Sequence, residues 1–574
     1  MKRLSLHTRQ LNQVQLSRLL LVLMVLAYAI IMSYQTVLRY VTFKATAFDL
    51  GNLDQVLWNT LHGHPFFWTN QGDNWFGPPT RLAQHVEPII LPLSLLYVFH
   101  ADPRILLIFQ TLALASGALP VYLLTRKYLP EWPLLAAVMA GAYLISPALL
   151  GINIFDFHPV SLATPLLLYA LLALNYKRYV WFVIACILAS ACKEEIPAIV
   201  ALLGILVIWK YKLPRLGTAL IVFGLLWSVI AVAVIEPHFY PGTQHNTFWY
   251  RYTALGSTPG NAVINVLLHP WLLIITFVTL DRVYYLAGLL RSTGFLALLA
   301  PEWLLPTLPS LAINLLSGDQ LLYTGVYHYN AAIIPFIMMA AIVGLQRFIR
   351  IWQGWRDEST EFPSDGAPGS ILGARRPGSL LDRATLAYSA VTQTFSTLPV
   401  VTRSAALLQP RISFVTYRST SLWQRFSDRM AALARNVSLS QLQWIMCAWL
   451  IVMFSLNYFI LAPNLNVFWA TTVPGVHEAH IQQLLEEIPP DAPVSTGTSI
   501  NPHLSERQYI TVFPNITIGN QTVEYIIVDL STVFPEDKIS TIKALNQLSK
   551  GQFCTLKMSD DVILLGRRDI AHCP

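Results

Sequence analysis

Residues 16–40 read LSRLLLVLMVLAYAIIMSYQTVLRY, twenty-five positions in which only Arg18 and Arg39 carry charge. At 1.5 Å per residue such a run makes a helix of about 37 Å, longer than the roughly 30 Å hydrocarbon core of a bilayer. It is too long for a signal-peptide core, and no small-residue cleavage site follows it. It is expected to stay as an uncleaved first span, with the basic MKRLSLHTRQ segment on the inner side.

The whole chain has the same character. Of 574 residues, 54% are hydrophobic and only 12% charged, with a mean hydropathy of +0.50. Soluble domains carry about 25% charged residues. A water-soluble enzyme is excluded as a description of the whole chain, and so is a disordered one. The apolar runs are long and unbroken rather than short and alternating, which points to helices and not to a barrel. The net charge of +7, from 38 Lys+Arg against 31 Asp+Glu, is what basic inner loops supply, and nothing calls for nucleic acid as a partner. Cys186, Cys192 and Cys447 lie in apolar runs and read as small core residues.

Further apolar runs lie near 104–124, 131–150, 159–176, 179–193, 196–212, 216–235, 263–280, 283–300, 327–346 and 441–462, about 11 spans with the first. The fold class is thus mainly α, a polytopic transmembrane helix bundle over 1–346 and 441–462. The first outer loop, 41–103, is long, and its apolar piece 89–99 is short enough to be a helix lying at the interface. Counting from the first span places Arg126, Lys127, Lys177, Arg178, Lys210, Lys212, Arg215, Arg347 and Arg350 on the inner side, as the positive-inside rule requires. The stretch 347–440 holds many arginines and no lysine and reads as a cytoplasmic insertion. Residues 463–574 are soluble in character, with helical periodicity at 476–488 and 540–548 and β-rich runs at 509–513, 525–529, 553–557 and 562–565. They read as a small α/β domain on the extracytoplasmic face of the plasma (inner) membrane. There Cys554 and Cys573 are either a disulfide or two free thiols.

The outer ends of the spans collect ionisable residues, which are costly near a membrane and usually have a task. They are Asp49 and Asp54; His85 and Glu87; Asp156 and His158; Lys193, Glu194 and Glu195; Glu236 and His238; and His328 with Tyr329. Carboxylates and imidazoles suit acid/base chemistry and divalent metals. A metal site of His85, Glu87, Asp156 and His158 is one use of them. Ordinary structural uses also remain: a helix cap for Asp49, turn chemistry for Asp156, and an internally neutralised cluster at 193–195.

Phe48-Asp49-Leu50-Gly51-Asn52-Leu53-Asp54-Gln55, followed by Trp58, resembles the opening of a family of predicted prokaryotic membrane proteins of unknown function. His85-Val86-Glu87-Pro88, Asp156-Phe157-His158-Pro159, Lys193-Glu194-Glu195 and His328-Tyr329 resemble its later motifs. So do Pro489-Pro490-Asp491-Ala492, Pro502-His503-Leu504-Ser505-Glu506-Arg507 and Tyr525-Ile526-Ile527-Val528-Asp529-Leu530 in the tail. That family is distantly similar to the GT-C glycosyltransferases, multi-span enzymes that take a sugar from a polyprenyl-phosphate carrier in the lipid bilayer. The resemblance implies that Asp49 is a general base for transfer with inversion, and that Asp54, His85 and Glu87 belong to the catalytic set. Substrate contacts would come from Arg104, Asp156, His158, Lys193, Glu194, Glu195, His328 and Tyr329. Many of those enzymes carry adjacent acids or an acid-x-acid pair, whereas Asp49 and Asp54 are five apart, a departure from the metal-using variant that leaves a divalent metal as one alternative. The competing readings are a transporter that binds ions or solutes with the same acidic/histidine cluster and a metallohydrolase, which lacks a His-Glu-x-x-His motif.

Overall fold

The structure is a computed structural model that describes residues 2–70, 77–240, 247–357, 429–466 and 468–573. Most of the stretch 347–440, and with it the expected insertion, lies outside the described residues.

Among the described residues five helices are long and apolar enough to cross a membrane: Asn12–Val41, Arg104–Tyr128, Pro214–Phe239, Ile334–Arg356 and Leu439–Ile460. Two bent pairs raise the number to 7 if each is one span, Pro133–Leu144 with Pro147–Ile154 at 46° and Pro259–Leu268 with Trp271–Phe277 at 109°. Shorter apolar helices cover Pro159–Asn175, Tyr179–Ser190 and Ile196–Tyr211. The expected count of about 11 therefore stands for apolar runs and not for full-length spans. The differences have local causes. Pro147 and Pro270 each follow a break, because proline disfavours helix at the residue before it. The run 283–300 yields only a helix at Leu280–Arg291, which carries Asp281, Arg282 and Arg291. Left-handed Gly294 and Phe295 then turn the chain. The run 327–346 becomes helical only at Ile334, since its first residues form the turn that carries His328.

Buried polar side chains fix the loops at the ends of these helices. Gln110, fully buried in Arg104–Ser116, donates to the carbonyls of Ile152, Asn153 and Asp156 at 3.3, 3.2 and 2.9 Å. Its own oxygen accepts from His158 N at 3.0 Å and Ser161 Oγ at 2.8 Å. Its two N–H groups are shared among the three carbonyls and its oxygen takes two donors, so one amide ties together five groups of the turn at 152–161. Gly151 lies where a Cβ would sit 2.2 Å from the carbonyl oxygen of Val326. Gly151→Ala must therefore push the turn at 326–329 and is expected to cost about 1–3 kcal/mol. A thermal melt in detergent checks this, and an unchanged midpoint would show that the turn yields freely.

The tail forms a five-stranded sheet. Its strands in chain order are β1 (Val494–Thr496), β2 (Ile510–Val512), β5 (Tyr525–Asp529), β6 (Phe553–Ser559) and β7 (Val562–Arg567), and β3 (Thr517–Ile518) with β4 (Gln521–Thr522) makes a separate ribbon. The sheet order is β2-β1-β5-β7-β6, parallel across β2, β1 and β5 and antiparallel from β5 to β6. Side chains alternate along β5, so Tyr525 and Ile527 pack with Ile481, Leu484 and Leu485 of the helix Val476–Leu485. Ile526 and Val528 pack instead with Leu545 and Ile542 of the helix Pro535–Lys550. Phe43, just past the first helix, joins the first of these two clusters. Cys554 and Cys573 are disulfide-bonded.

Within the separate compact unit 347–444, the described residues are the last part of the helix Ile334–Asp357, a helical stretch at 429–436 and the start of the helix Leu439–Asn466.

Candidate active site

Asp49 sits in a π-helical turn, Ala47–Gly51, between the end of the first helix and the helix Asn52–Leu61. Thr46, just before this turn, donates from its N and Oγ1 to Asp156 Oδ2 at 3.0 and 3.2 Å. Asp156 in turn faces Arg39, whose Nη2 is 3.8 Å from Oδ1. Burial raises the Asp156 carboxyl above its ordinary range, against the pull of Arg39. Arg39 also donates to the carbonyls of Phe468 and Lys44, at 3.0 and 2.9 Å. Asp156 is therefore a buried brace for the Asp49 turn.

His158 Nε2 lies 3.0 Å from Asp49 Oδ1. Its ring stacks on His328, centroid to centroid at 3.9 Å, and the His328 ring lies 4.2 Å from that of Tyr329. The Nδ1 atoms of both histidines are buried and make no hydrogen bond. A proton on His158 Nε2, donated to Asp49, leaves only an acceptor unpaired at Nδ1. Burial, with the nearby His158, Lys193, His85 and Arg251, pushes His328 well below the ordinary histidine range, so its ring is neutral. The Asp49 side chain is 26% exposed and has no hydrogen-bond partner but His158 among the described residues, which leaves Oδ2 available.

A second group lies across Tyr329. His85 Nδ1 is 2.9 Å from Glu194 Oε1, and Glu194 Oε2 accepts from Val86 N at 3.1 Å. Burial alone would raise Glu194, but His85 and Lys193 outweigh it and hold the carboxyl at about 2. Lys193 Nζ is 3.3 Å from Glu195. These residues, with Glu236, Arg251, Tyr252 and Tyr329, line a cavity of about 880 Å³. Its other walls are apolar and include Val232, Ala233, Leu255, Ala312, Ile313 and Leu316. Arg251 pairs with Asp319 at 3.3 Å.

Several expected site residues go elsewhere. Asp54 is fully buried, bonded to the hydroxyl of Tyr97 and to that of Ser505 at 2.5 Å, and it ties the first loop to the tail. Glu87 is bonded to Arg81 at 2.8 Å, buried with it. Arg104 pairs with Asp102 at 2.5 Å and lines a different cleft of about 660 Å³, with His503 and Glu506. The four residues of the expected metal set are not brought together: His85 and Glu87 face Glu194 and Arg81, while Asp156 and His158 face Arg39 and Asp49. Among the described residues no group of three or more His, Cys, Asp or Glu could hold a metal ion. Sequence reading missed Gln110, Arg39 and Arg251. The first of these carries a signal in hindsight, a lone amide in an apolar helix.

No curated protein matches this chain. The model of a family described as "Predicted membrane protein (DUF2079)" matches residues 39–358 and 410–564. Among solved structures, ArnT from Cupriavidus metallidurans in the apo state aligns at 12% identity over 95% of this chain and 97% of that one, with a TM-score of 0.43. The apo oligosaccharyltransferase of Archaeoglobus fulgidus aligns at 12% identity over 89% and 70%, with a TM-score of 0.41. The archaeal oligosaccharyltransferase AglB from Archaeoglobus fulgidus, in complex with an inhibitory peptide and a dolichol-phosphate, aligns at 13% identity over 92% and 72%, with a TM-score of 0.36. Likenesses at these scores supply no argument about chemistry.

Proposed function

This chain belongs to the DUF2079 family of predicted membrane proteins, and we propose that it is a membrane glycosyltransferase. It transfers a sugar from a polyprenyl-phosphate donor to an acceptor hydroxyl at the outer face, with inversion. The observation that carries this reading is the cavity of about 880 Å³, which has Lys193 and Arg251 on an ionisable side shared with His85, Glu194, Glu195 and Glu236, and apolar residues on the other. That division suits an amphiphile with an anionic head. Asp49 supports it through the contacts that run from His158 to His328 and on to Tyr329, which lines the cavity with its ring 4.2 Å from that of His328.

In the reaction, Asp49 Oδ2 takes the proton of the acceptor hydroxyl, and His158 holds Oδ1 so that the carboxylate keeps one orientation. The acceptor oxygen attacks the anomeric carbon as the bond from that carbon to the phosphate oxygen breaks. The polyprenyl phosphate leaves with the electron pair, its charge met by Lys193 and Arg251. The first span has its N-terminus inside and the tail domain lies outside, in the plasma membrane.

The test uses the full chain in nanodiscs with a panel of radiolabelled polyprenyl-phosphate hexoses and pentoses. Release of label from the lipid with at least one donor is the expected result. No release with any donor, from protein that melts cooperatively, would overturn the reading and turn attention to solute flux.

A further inference from the structure

We propose that Asn501, in the tail domain, is a positioning residue for Asp49. The inference rests on the glycosyltransferase reading, in which Asp49 is the base. Both ends of the turn that carries Asp49 meet the tail segment 496–501. At one end, Ala47 N donates to the carbonyl of Thr498 at 2.9 Å, and the Ala47 carbonyl accepts from Asn70 Nδ2 at 3.4 Å. At the other, an added Cβ on Gly51 would sit 2.3 Å from Asn501 Oδ1. The Gly51 end of the turn thus lies directly against this amide, and the Ala47 end is reached from it through Asn70.

Asn501 is fully buried and Asn70 1% exposed, and their amides clasp each other. Asn70 Nδ2 donates to Asn501 Oδ1 at 2.6 Å, and Asn501 Nδ2 donates back to Asn70 Oδ1 at 2.9 Å. Asn501 Nδ2 also donates to Thr496 Oγ1 at 2.9 Å, which fixes the amide to β1. Asn501 makes no hydrogen bond to Asp49. It acts through the turn, by fixing where Ala47 and Gly51 lie.

Docking of the tail does not depend on this amide. His503 stacks on Tyr40 and Phe43, with centroids at 4.1 and 4.0 Å. Ser505 bonds Asp54 at 2.5 Å, and Gln55 Nε2 donates to the Gln508 carbonyl at 3.0 Å. Removing the Asn501 amide leaves these contacts in place and frees the turn. A shift of about 1 Å in a catalytic group costs on the order of a hundredfold in rate.

The test measures kcat and donor KM in nanodiscs for Asn501→Ala, Gly51→Ala and the double variant, with whichever polyprenyl-phosphate sugar the wild type consumes. Asn501→Ala is expected to lower kcat by about tenfold or more and leave KM within about twofold. Gly51→Ala is expected to do the same, and the double variant to exceed Gly51→Ala alone, since loss of Oδ1 makes room for the new methyl. A parallel readout needs no turnover. Phe48 is 47% exposed, the three free cysteines are buried and the other two are bonded. Phe48→Cys is therefore labelled selectively by a water-soluble maleimide, and faster once Asn501→Ala is added. Unchanged kcat and unchanged labelling would overturn the proposal, and so would a kcat that falls only with the folded fraction. Failure of the glycosyltransferase reading looks different: no donor is consumed by the wild type, or Asp49→Asn retains its rate. The labelling rates then still decide whether the clasp holds the turn.

Discussion

Asp49→Asn is expected to lower release of label from the polyprenyl-phosphate donor by about a hundredfold to ten-thousandfold, with no change in thermal midpoint. That is the range a positioned general base contributes. The substitution is close to isosteric. The amide oxygen of Asn can still accept from His158 Nε2, 3.0 Å away in the wild type, so the stack with His328 is retained. What is lost is the second oxygen and its negative charge. The measurement is initial rate per folded protein in nanodiscs at saturating donor. A variant that kept more than about a tenth of the wild-type rate would remove Asp49 from the role of base. Asp156→Asn is the informative control, since Asp156 has neighbours on every side and acts on the turn through Thr46.

Asp54→Ala is expected to destabilise the protein by about 2–5 kcal/mol, because it leaves the buried hydroxyls of Tyr97 and Ser505 without their shared acceptor. The thermal midpoint should fall by several degrees. The pH dependence identifies the group. Burial, with the charge of Glu506, raises the Asp54 carboxyl well above its ordinary 3.8. Its protonated form is favoured in the folded protein, so its contribution to stability is fully present below pH 3.8 and is lost as pH rises through the raised value. Glu506, raised to about 7 by burial and by Asp102, acts in the same direction. Asp54→Asn should therefore flatten part of the fall in midpoint towards alkaline pH, and Glu506→Gln the remainder. Identical slopes in wild type and Asp54→Asn would show that another group carries the dependence.

Hydropathy reports where the chain avoids water, and that was enough to read the helical class, the first span and most helix positions. It does not report whether an apolar run is straight. The run at 263–280 satisfies any count of apolar residues, yet it turns by 109° at His269 and Pro270. The tail strands 510–512, 525–529, 553–559 and 562–567 fall at or near the expected runs, since β-branched, aromatic and other apolar residues are concentrated there. β1 was not legible, because Val494–Thr496 is three residues long and polar in two of them. Near the candidate site, position along the chain grouped Asp49, His158 and His328 on one side, and the structure joins them in one stack. Asp54 and Glu87 have the same composition and the same location in sequence, but their partners, Ser505 and Arg81, decide their surroundings. Such pairings come from tertiary contacts, and a single sequence carries no record of them.

The joint between the first loop and the tail is built unevenly. On the loop side the groups are largely side chains: Gln55 donates to the carbonyls of Arg507 and Gln508 at 3.3 and 3.0 Å, and Thr69 Oγ1 to that of Ile510 at 2.9 Å. The tail side of these three bonds is main-chain oxygen, which every amino acid possesses, whereas Asn501 and Ser505 meet Asn70 and Asp54 with their side chains. Inheritance should feel this asymmetry. A lineage can rewrite positions 507, 508 and 510 and keep these bonds so long as the chain follows the same path, whereas a change at Gln55 or Thr69 removes several at once. Positions 507, 508 and 510 should accordingly diverge faster than Gln55 and Thr69, while Asn501 and Ser505, which act through their side chains, share the constraint of the loop.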